Sequence, residues 1–247
     1  MVDNWVGIIL AGGSGSRLAP VSQYLSKHLL PIYNKPMIYY PIDLLISIGI
    51  KNILLISTKK DLPIYRNLLG NGSKFGINFT YKIQKKPEGI AQAFLIARDF
   101  ILNKKTILIL GDNIFIGKNI IFTLKKAKKF FDGSAIFLKK IQDPKRYGVI
   151  KYLNNKPIKI IEKPKKKISN DAVTGIYFYD ETVLQRTKQL SPSKRGELEI
   201  TDLNNLYLED NMMSLYKFKS KAYWMDAGTF DSFLDTSIFV RRHLKKK

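Results

Sequence analysis

The chain has 247 residues, and 45% of them are hydrophobic, which is enough to bury the core of one large α/β domain. It contains no cysteine, which excludes disulfides and thiolate metal sites. It also has no run of about 18 apolar residues, so no transmembrane helix is predicted. The 42 lysines and arginines against 20 acidic residues give a net charge of +22, which alone would favour a polyanionic partner.

The lysines fall in short clusters at 125–129, 165–167 and 245–247, without an interleaved pattern of aromatic residues. We therefore expect nucleic-acid binding to be at most non-specific, and no membrane partner. The N-terminus proceeds directly into a strand pattern, without a basic leader followed by an apolar core. With the lack of cysteine, this favours a cytoplasmic location.

In the first half of the chain, strand and helix patterns alternate. Strands are predicted at 5–11, 52–57, 77–83, 106–110 and 134–139, and helices at 37–48, 62–69, 90–102 and 120–131. This rhythm predicts a mainly parallel sheet with helices on both faces. Ligands of such sheets bind outside the carboxyl ends of the strands.

The second half has strand patterns at 148–152, 156–162, 172–179 and 214–219, with helices at 181–189, 200–209 and 231–244. No segment rich in glycine, proline or serine separates the halves, and no internal repeat occurs. We therefore predict a single domain over residues 1–247.

A glycine-rich loop follows the first predicted strand, from Leu10 through Gly12, Gly13 and Gly15 to Arg17. Glycines let the backbone approach a ligand closely, successive N–H groups form an anion-binding concavity, and a guanidinium holds phosphate oxygens bidentately. The spacing matches neither the dinucleotide fingerprint nor the P-loop, and an ordinary tight turn is the alternative. The loop favours a nucleoside triphosphate site.

The segment from Leu10 to Pro41 resembles the start of the glucose-1-phosphate thymidylyltransferases, a family of sugar-nucleotide pyrophosphorylases. The resemblance continues in family order through segments 72–77, 87–93, 110–115, 146–149, 162–164, 172–175, 195–202 and 224–229. It covers nearly the whole chain, although the chain ends at Lys247, before the further C-terminal helices of longer members. Regulation through those helices is therefore not expected to carry over.

The resemblance implies a Rossmann-like, three-layer nucleotidyltransferase fold with a mainly parallel mixed sheet. It divides the domain into a nucleotide-binding half at about 1–140 and a sugar-phosphate-binding half at about 141–247. The implied reaction is Mg²⁺-dependent transfer of a thymidylyl group from dTTP to α-D-glucose 1-phosphate, feeding dTDP-rhamnose or other dTDP-deoxysugar synthesis. A homo-oligomer, dimer or tetramer, is also implied.

Site residues carry over from the matching motifs. The implied catalytic residues are Arg17, Lys27, Asp112, Lys163 and Asp226, and the Mg²⁺ ligands are Asp112 and Asp226. The implied nucleotide-binding residues are Leu10, Gly12, Gly13, Ser14, Gly15, Ser16, Arg17, Lys27, Gln84 and Gly89. The implied sugar-phosphate-binding residues are Asn113, Gly148, Glu162, Lys163, Val173, Tyr177 and Arg195.

Departures from the family pattern include Ser16 in place of threonine and His28 in place of glutamine, and none removes a proposed catalytic group. Since the amide of Gln84 pairs equally with thymine and uracil, a uridylyl- or guanylyltransferase acting on another sugar 1-phosphate stays open. A basic nucleic-acid-binding relative and a non-catalytic relative are the alternatives from other classes.

Overall fold

The computed structural model describes residues 4–13 and 15–244. Its strands are β1 Trp5–Leu10, β2 Pro31–Ile32, β3 Lys35–Pro36, β4 Asn52–Ser57, β5 Asn78–Ile83, β6 Lys105–Leu110, β7 Asn113–Ile116, β8 Ser134–Lys140, β9 Gly148–Leu153, β10 Lys156–Glu162, β11 Asp171–Tyr179, β12 Met213–Lys217 and β13 Tyr223–Asp226. Its helices are α1 Tyr39–Ser47, α2 Leu62–Leu69, α3 Gln92–Ile96, α4 Arg98–Ile101, α5 Lys118–Phe130, α6 Val183–Thr187, α7 Ile200–Glu209 and α8 Phe230–Leu244. Short 3₁₀ turns lie at Ser16–Leu18, Val21–Gln23, Lys27–Leu29 and Ser73–Phe75.

One mixed sheet of nine strands organises these described residues, in the order β10-β9-β11-β6-β1-β4-β5, with β8 beside β11 and β12 beside β8. Strands β6, β1, β4 and β5 are parallel to one another. Strand β11 runs antiparallel to β6, and β9 and β10 continue the antiparallel pattern. The carboxyl ends of the parallel strands therefore meet at one edge, where ligands of such sheets bind.

The two faces of the sheet carry separate apolar cores. Side chains of α1, α2 and α5 pack on one face, with Leu45, Tyr65 and Leu124 among those buried. Side chains of α3, α6 and α7 pack on the other, with Phe94 and Leu203 among those buried. The predicted three-layer α/β architecture is confirmed, and the sheet is continuous across both halves. The division into a nucleotide half and a sugar half stays a prediction.

A second, two-stranded sheet was not predicted. Strand β7 pairs antiparallel with β13, so that Asn113 lies opposite Asp226. A third apolar cluster, including Ile32, Ile114 and Val240, packs the β2–β3 hairpin and α8 around it. Strands β7 and β13 have four residues each, too few for an alternation of apolar and polar residues to be recognised in the sequence.

Two predicted helices differ from the structure. The segment predicted at 90–102 forms α3 and α4 with a break at Ala97, whose ψ of −1° departs from helical geometry. The segment predicted at 37–48 begins its helix at Tyr39. The N–H groups of Met37 and Ile38 donate to the carbonyls of Leu30 and His28, which ties them to the preceding loop. Within residues 4–13 and 15–244, every helix is too short or too polar to cross a bilayer.

Candidate active site

The glycine loop leaves β1 at the carboxyl edge of the sheet. Gly13 and Gly15 have φ angles of +96° and +63°, which L side chains rarely adopt. Gly12 lies directly against the Gln84 side chain, since a Cβ there would be 2.3 Å from Oε1 of Gln84 and would require that side chain to move. Ser14 lies outside the described residues. Ser16 and Arg17 form the exposed 3₁₀ turn that ends the loop, anchored by the buried side chain of Leu18.

An ion pair joins the loop region to the end of β6. The ammonium group of Lys27 contacts the carboxylate of Asp112, and both side chains are only 13% exposed. Burial alone would raise the pKa of Asp112, but the charge of Lys27 and hydrogen bonds from Lys27 and Asn113 bring the pKa well below its ordinary value. The Asp112 carboxylate is therefore ionised throughout the neutral range.

The second predicted metal ligand, Asp226, reaches the same place from β13. Burial and the neighbouring charge of Asp112 raise the pKa of Asp226, and the cations Arg17, Lys27 and Arg146 counteract this only in part. Arg146 Nη2 lies 3.5 Å from Asp226 Oδ2. Arg17 is close by, since a Cβ on Gly228 would be 3.0 Å from its Nη2. Two carboxylates and several cations thus converge at one edge of the sheet.

This donor set suits a magnesium ion, because Mg²⁺ prefers one or two carboxylates completed by phosphate oxygens and water. The mutual repulsion of Asp112 and Asp226 indicates that a cation between them would be stabilising. No group of three or more histidine, cysteine, aspartate or glutamate side chains suited to a metal occurs in the described part of the chain. An ion held here would therefore depend on its substrate for further ligands.

Asn113 fixes the position of Asp112. Its Oδ1 accepts hydrogen bonds from the Gly175 N–H at 3.1 Å and from Trp224 Nε1 at 2.6 Å, and its Nδ2 donates to Asp112 Oδ1 at 2.9 Å. Gly175 must lack a side chain, because a Cβ would lie 2.4 Å from Asn113 Oδ1. Asn113 also lines the cleft. Since its amide is engaged with protein groups, its direct contact with a sugar stays a prediction.

The opposite wall of the cleft is organised around Glu162, the last residue of β10. Thr201 Oγ1 donates to Glu162 Oε2 at 2.6 Å. The guanidinium of Arg195 donates to both oxygens of Glu199 at 2.9 Å and lies 3.8 Å from Glu162 Oε1. These contacts hold the Glu162 carboxylate at the wall of the cleft.

Lys163 follows Glu162 with a φ of +42°, and its Nζ is 3.6 Å from Glu162 Oε1. Gly148 pairs with Glu162 across β9 and β10, which places its backbone at the same wall. Val173 and Tyr177 come from the buried strand β11. Burial first, and then the charges of Glu162 and Asp112, raise the pKa of Tyr177, so its hydroxyl stays protonated.

Gln84 lies beside the glycine loop, and neither Gln84 nor Gly89 is among the residues that line the main cleft. Gln84 Nε2 donates to Gln92 Oε1 at 2.7 Å, and the residue lines a separate opening together with Gly13, Thr58 and Pro87. Gly89 has a φ of +103°, and a Cβ there would lie 2.3 Å from the Leu198 carbonyl oxygen. The loop of Gly89 thus packs directly on the segment that carries Arg195.

The main cleft therefore brings together Arg17, Asp112, Asp226 and the sequence-predicted residues of the sugar side, namely Asn113, Gly148, Glu162, Lys163, Val173, Tyr177 and Arg195. Lys27 does not line this cleft but contacts Asp112, which does, whereas Gly13 and Gln84 line the neighbouring opening. Leu10 is half-buried at the end of β1 and contributes to the cluster behind the cleft.

Sequence reasoning assigned no role to Arg146, Thr201 or Trp224, although all three lie within motifs that carry the family resemblance. His28 was noted only as a departure. It is buried beneath the site, where a Cβ on Gly111 would lie 2.7 Å from its Cδ2. Burial and the charge of Lys27 lower its pKa to about 3, so His28 is neutral.

A family model described as nucleotidyl transferase matches residues 6–243. Among curated proteins, the glucose-1-phosphate thymidylyltransferase of Neisseria meningitidis serogroup A is 47% identical over 236 residues, covering 95% of this chain and 82% of that protein. The enzyme of the same description from Mycolicibacterium smegmatis is 48% identical, with the same two coverages.

Solved structures agree with these relatives. A Bacillus anthracis protein, assigned as a glucose-1-phosphate thymidylyltransferase and crystallised with sucrose, is 42% identical, with a TM-score of 0.89 and coverage of 96% of this chain and 95% of that one. A UDP-glucose pyrophosphorylase with bound UDP-glucose has a TM-score of 0.83 at 23% identity, over 98% and 99% of the two chains, and shares the fold.

Proposed function

Since this chain belongs to the nucleotidyl transferase family, we propose that it transfers the thymidylyl group of dTTP to α-D-glucose 1-phosphate, giving dTDP-glucose and pyrophosphate. The observation that carries the proposal is a single cleft in which the cations and carboxylates around Asp112 and Asp226 face a second wall that contains Glu162, Lys163 and Arg195. The charged cluster suits a triphosphate with its metal ion, and the wall at Glu162 suits a sugar phosphate.

The chemistry requires neither a general base nor a covalent intermediate. A sugar phosphate is largely dianionic near neutral pH, since its second pKa is about 6, and an oxygen of this phosphate attacks the α-phosphorus of dTTP. The bond from that phosphorus to the β-phosphate oxygen breaks as the new bond forms, and pyrophosphate leaves with the electron pair. Positioning and charge stabilisation therefore supply most of the catalysis.

The cations of the cleft divide this work. Arg17 stabilises the β- and γ-phosphates and the departing pyrophosphate, and Lys27 stabilises the reacting phosphoryl group. Lys163 holds the sugar phosphate from the opposite wall. The placement of Arg17 and Lys27 around Asp112 and Asp226 supports the first two roles, and the position of Lys163 beside Glu162 supports the third.

Asp112 and Asp226 would hold Mg²⁺, the cofactor that their donor chemistry favours. When bound, the ion neutralises phosphate charge and orients the triphosphate. Asn113 keeps the Asp112 carboxylate in place for this role through its own fixed hydrogen bonds.

Glu162 accepts hydroxyl groups of the glucose, assisted by the backbone at Gly148 and Val173, while Arg195 and Tyr177 complete the wall. Gln84 pairs with the thymine base, which the backbone at Gly89 approaches. The loop residues Gly12 to Ser16 supply N–H groups to the phosphates. We further propose a cytoplasmic homo-oligomer whose product enters dTDP-rhamnose or other dTDP-deoxysugar synthesis.

Pyrophosphate release tests the proposal, measured with Mg²⁺, glucose 1-phosphate and each of dTTP, UTP, GTP, CTP and ATP. We expect dTTP to be the best substrate, and EDTA or a combined Asp112→Asn and Asp226→Asn substitution to abolish release. Asp99→Asn, which alters an exposed carboxylate outside the cleft, is the control and should behave as wild type. Preference for UTP or GTP would reassign the nucleotide. No release from the folded wild-type protein would contradict the proposal.

A further inference from the structure

The solvent-facing side of α5 combines aromatic and basic residues. At about 100° per residue, Phe122 lies at the centre of this side, with lysines on both flanks. We call this surface the α5 face, consisting of the exposed residues Lys118, Phe122, Lys125, Lys126, Lys129 and Phe130. The two phenylalanines are 72% and 63% exposed, whereas Ile120, Leu124 and Ala127 on the other side of the helix are buried in the core.

The charge of α5 is entirely positive. Its sequence contains five lysines and no acidic residue. Lys129 Nζ lies 5.1 Å from the centre of the Phe130 ring, so a cation and an aromatic ring share one part of the face. Lys128 belongs to the inner edge of the helix, where its Nζ is 3.4 Å from the carbonyl oxygen of Ile48.

Helix α8 provides an internal contrast. Phe230 and Leu234 also lie on one exposed helical face, at 48% and 59% exposure. Their exposed neighbours are the acidic residues Asp231 and Asp235. The two helices therefore expose similar apolar groups in opposite electrostatic settings.

The α5 face lies away from the mouth of the active-site cleft. The C-terminal end of α5 lies at the amino ends of β1 and β6, where the ring of Phe131 is 5.1 Å from that of Trp5 and Lys105 Nζ is 5.5 Å from Phe131. The cleft is at the carboxyl ends of the same strands. A partner on the α5 face would therefore leave the cleft open to small substrates.

We propose that the α5 face docks on an anionic lipid bilayer, with Phe122 and Phe130 inserted among the headgroups and the lysines against lipid phosphates. Exposed aromatic rings on a convex helix gain free energy from an apolar medium, and lysines gain it from the negative surface of such a bilayer. This departs from the sequence expectation of no membrane partner. A helix was predicted at 120–131, but only the structure shows that Phe122 and Phe130 are exposed rather than packed in the core.

Two other occupants fit less well. A second copy of the chain packed symmetrically on this face would bring the lysines of one α5 helix against those of the other, and their like charges would repel. Single-stranded nucleic acid is usually bound in a positively charged groove where bases stack on aromatic rings, and the α5 face is convex. Lysines alone would bind any polyanion, so it is the two exposed phenylalanines that favour a lipid bilayer over other polyanions.

Co-sedimentation with vesicles tests the proposal, comparing phosphatidylcholine alone with an equimolar mixture of phosphatidylcholine and phosphatidylglycerol. We expect binding only to the anionic vesicles, weakening as salt is raised. Combined Phe122→Gln and Phe130→Gln should reduce the partition coefficient about tenfold. Combined Lys125→Gln, Lys126→Gln and Lys129→Gln should reduce it about a hundredfold, near fivefold for each lysine.

Matched controls remove similar groups elsewhere. Combined Phe230→Gln and Leu234→Gln on α8 should leave vesicle binding within about twofold of wild type, since apolar groups flanked by acids gain little at an anionic surface. Combined Lys165→Gln, Lys166→Gln and Lys167→Gln removes three exposed lysines outside the α5 face and should have a similarly small effect. Pyrophosphate release by every α5 variant should match wild type, because these residues lie outside the cleft.

Three results would overturn the proposal. The first is absence of binding to anionic vesicles at low salt. The second is a pair of results: the aromatic variant binds anionic vesicles like wild type, and the lysine variant loses its affinity for vesicles and for DNA to the same extent. Together they would indicate general adhesion to polyanions. The third is a dimer that dissociates in the aromatic variant, which would place a second copy on the α5 face.

Discussion

The two walls of the cleft come from differently built parts of one sheet. On the loop side, Arg17 and Asp112 lie in segments that follow the parallel strands β1 and β6. On the strand side, Glu162 and Val173 lie within the antiparallel strands β10 and β11. The first wall holds its groups through side-chain contacts, and the second holds them through backbone register.

Because the two walls are held differently, substitutions in them should have different effects on the reaction. Lys27 and Asp112 depend on one another's charge, because each is buried beside the other. The backbone of Glu162 is fixed by its pairing with Gly148, and its carboxylate is oriented chiefly by the hydroxyl of Thr201, at 2.6 Å. Substitutions on the loop side should therefore lower mainly kcat, and substitutions on the strand side should weaken mainly the affinity for the sugar phosphate.

The largest effect is expected for Lys27→Met on the loop side. The substitution leaves the Asp112 carboxylate buried without its cation and removes a charge from the reacting phosphoryl group. We expect kcat to fall about a thousandfold in steady-state pyrophosphate release. Lys35→Met breaks a more exposed lysine–aspartate pair, with Asp43, outside the cleft and should retain kcat. A kcat near wild type for Lys27→Met would refute the dependence on this charge.

The contact between the two walls is tested by Gly89→Ala. A Cβ at Gly89 would overlap the Leu198 carbonyl oxygen at a positive φ, whereas Gly196 has a φ of +74° and open space around it. We expect the free energy of unfolding to fall by about 3 kcal/mol for Gly89→Ala and by about 1 kcal/mol for Gly196→Ala. Urea denaturation measures both, and equal losses would mean that the two walls do not meet as described.

The outer edge of the strand side is tested by Asp171→Asn. Burial alone would raise the pKa of Asp171, but hydrogen bonds from Lys217 at 2.6 Å and Tyr152 at 2.7 Å lower it instead. A lowered pKa stabilises the folded state above the unfolded-state pKa of about 4, and this stabilisation is lost as the pH falls through the folded-state pKa.

We therefore expect Asp171→Asn to lower the free energy of unfolding by about 1.5 kcal/mol at neutral pH, and by less as the pH is lowered through the acidic range. Urea denaturation across that range measures the difference. Asp99→Asn, at an exposed ion pair, should change stability by no more than about 0.5 kcal/mol. A pH-independent loss for Asp171→Asn would show that its charge is not what stabilises this edge.

The smallest effect is expected for Thr201→Val on the strand side. The change keeps the shape of the side chain but removes the hydrogen bond to Glu162. We expect KM for glucose 1-phosphate to rise about tenfold, with kcat and KM for dTTP nearly unchanged. Thr187→Val removes a hydroxyl bond outside the cleft and should leave all three constants unchanged. A fall in kcat without a rise in KM would contradict the expectation that Thr201 affects mainly the affinity for glucose 1-phosphate.

The parallel part of the fold was readable from the sequence because its strands are continuous apolar runs separated by helical patterns. Helix α2 was predicted with its bounds, since Pro63 and Gly70 mark its beginning and end. Asp61 occupies the N-cap position of α2, but its carboxylate accepts a hydrogen bond from the Thr58 hydroxyl rather than from a backbone N–H of the helix. The β7–β13 pairing was not readable, because short strands far apart in sequence leave no local signal.

The site was predicted residue by residue through the family resemblance, and the structure adds what individual motifs do not contain. The Lys27–Asp112 pair and the bonds that hold Asn113 connect different motifs. Such contacts follow from the folding of distant segments onto one sheet edge, which spacing within a motif cannot specify. The roles assigned to these residues stay predictions until they are measured.

The pairing of β7 with β13 has a consequence for biosynthesis. It joins Asn113 to Trp224, which are 111 positions apart in the chain, and brings Asp226 opposite Asn113, beside Asp112. The glycine loop and the first carboxylate are therefore made well before the second carboxylate during N-to-C-terminal synthesis. A nascent chain that has not yet reached β13 carries the glycine loop and Asp112 without Asp226.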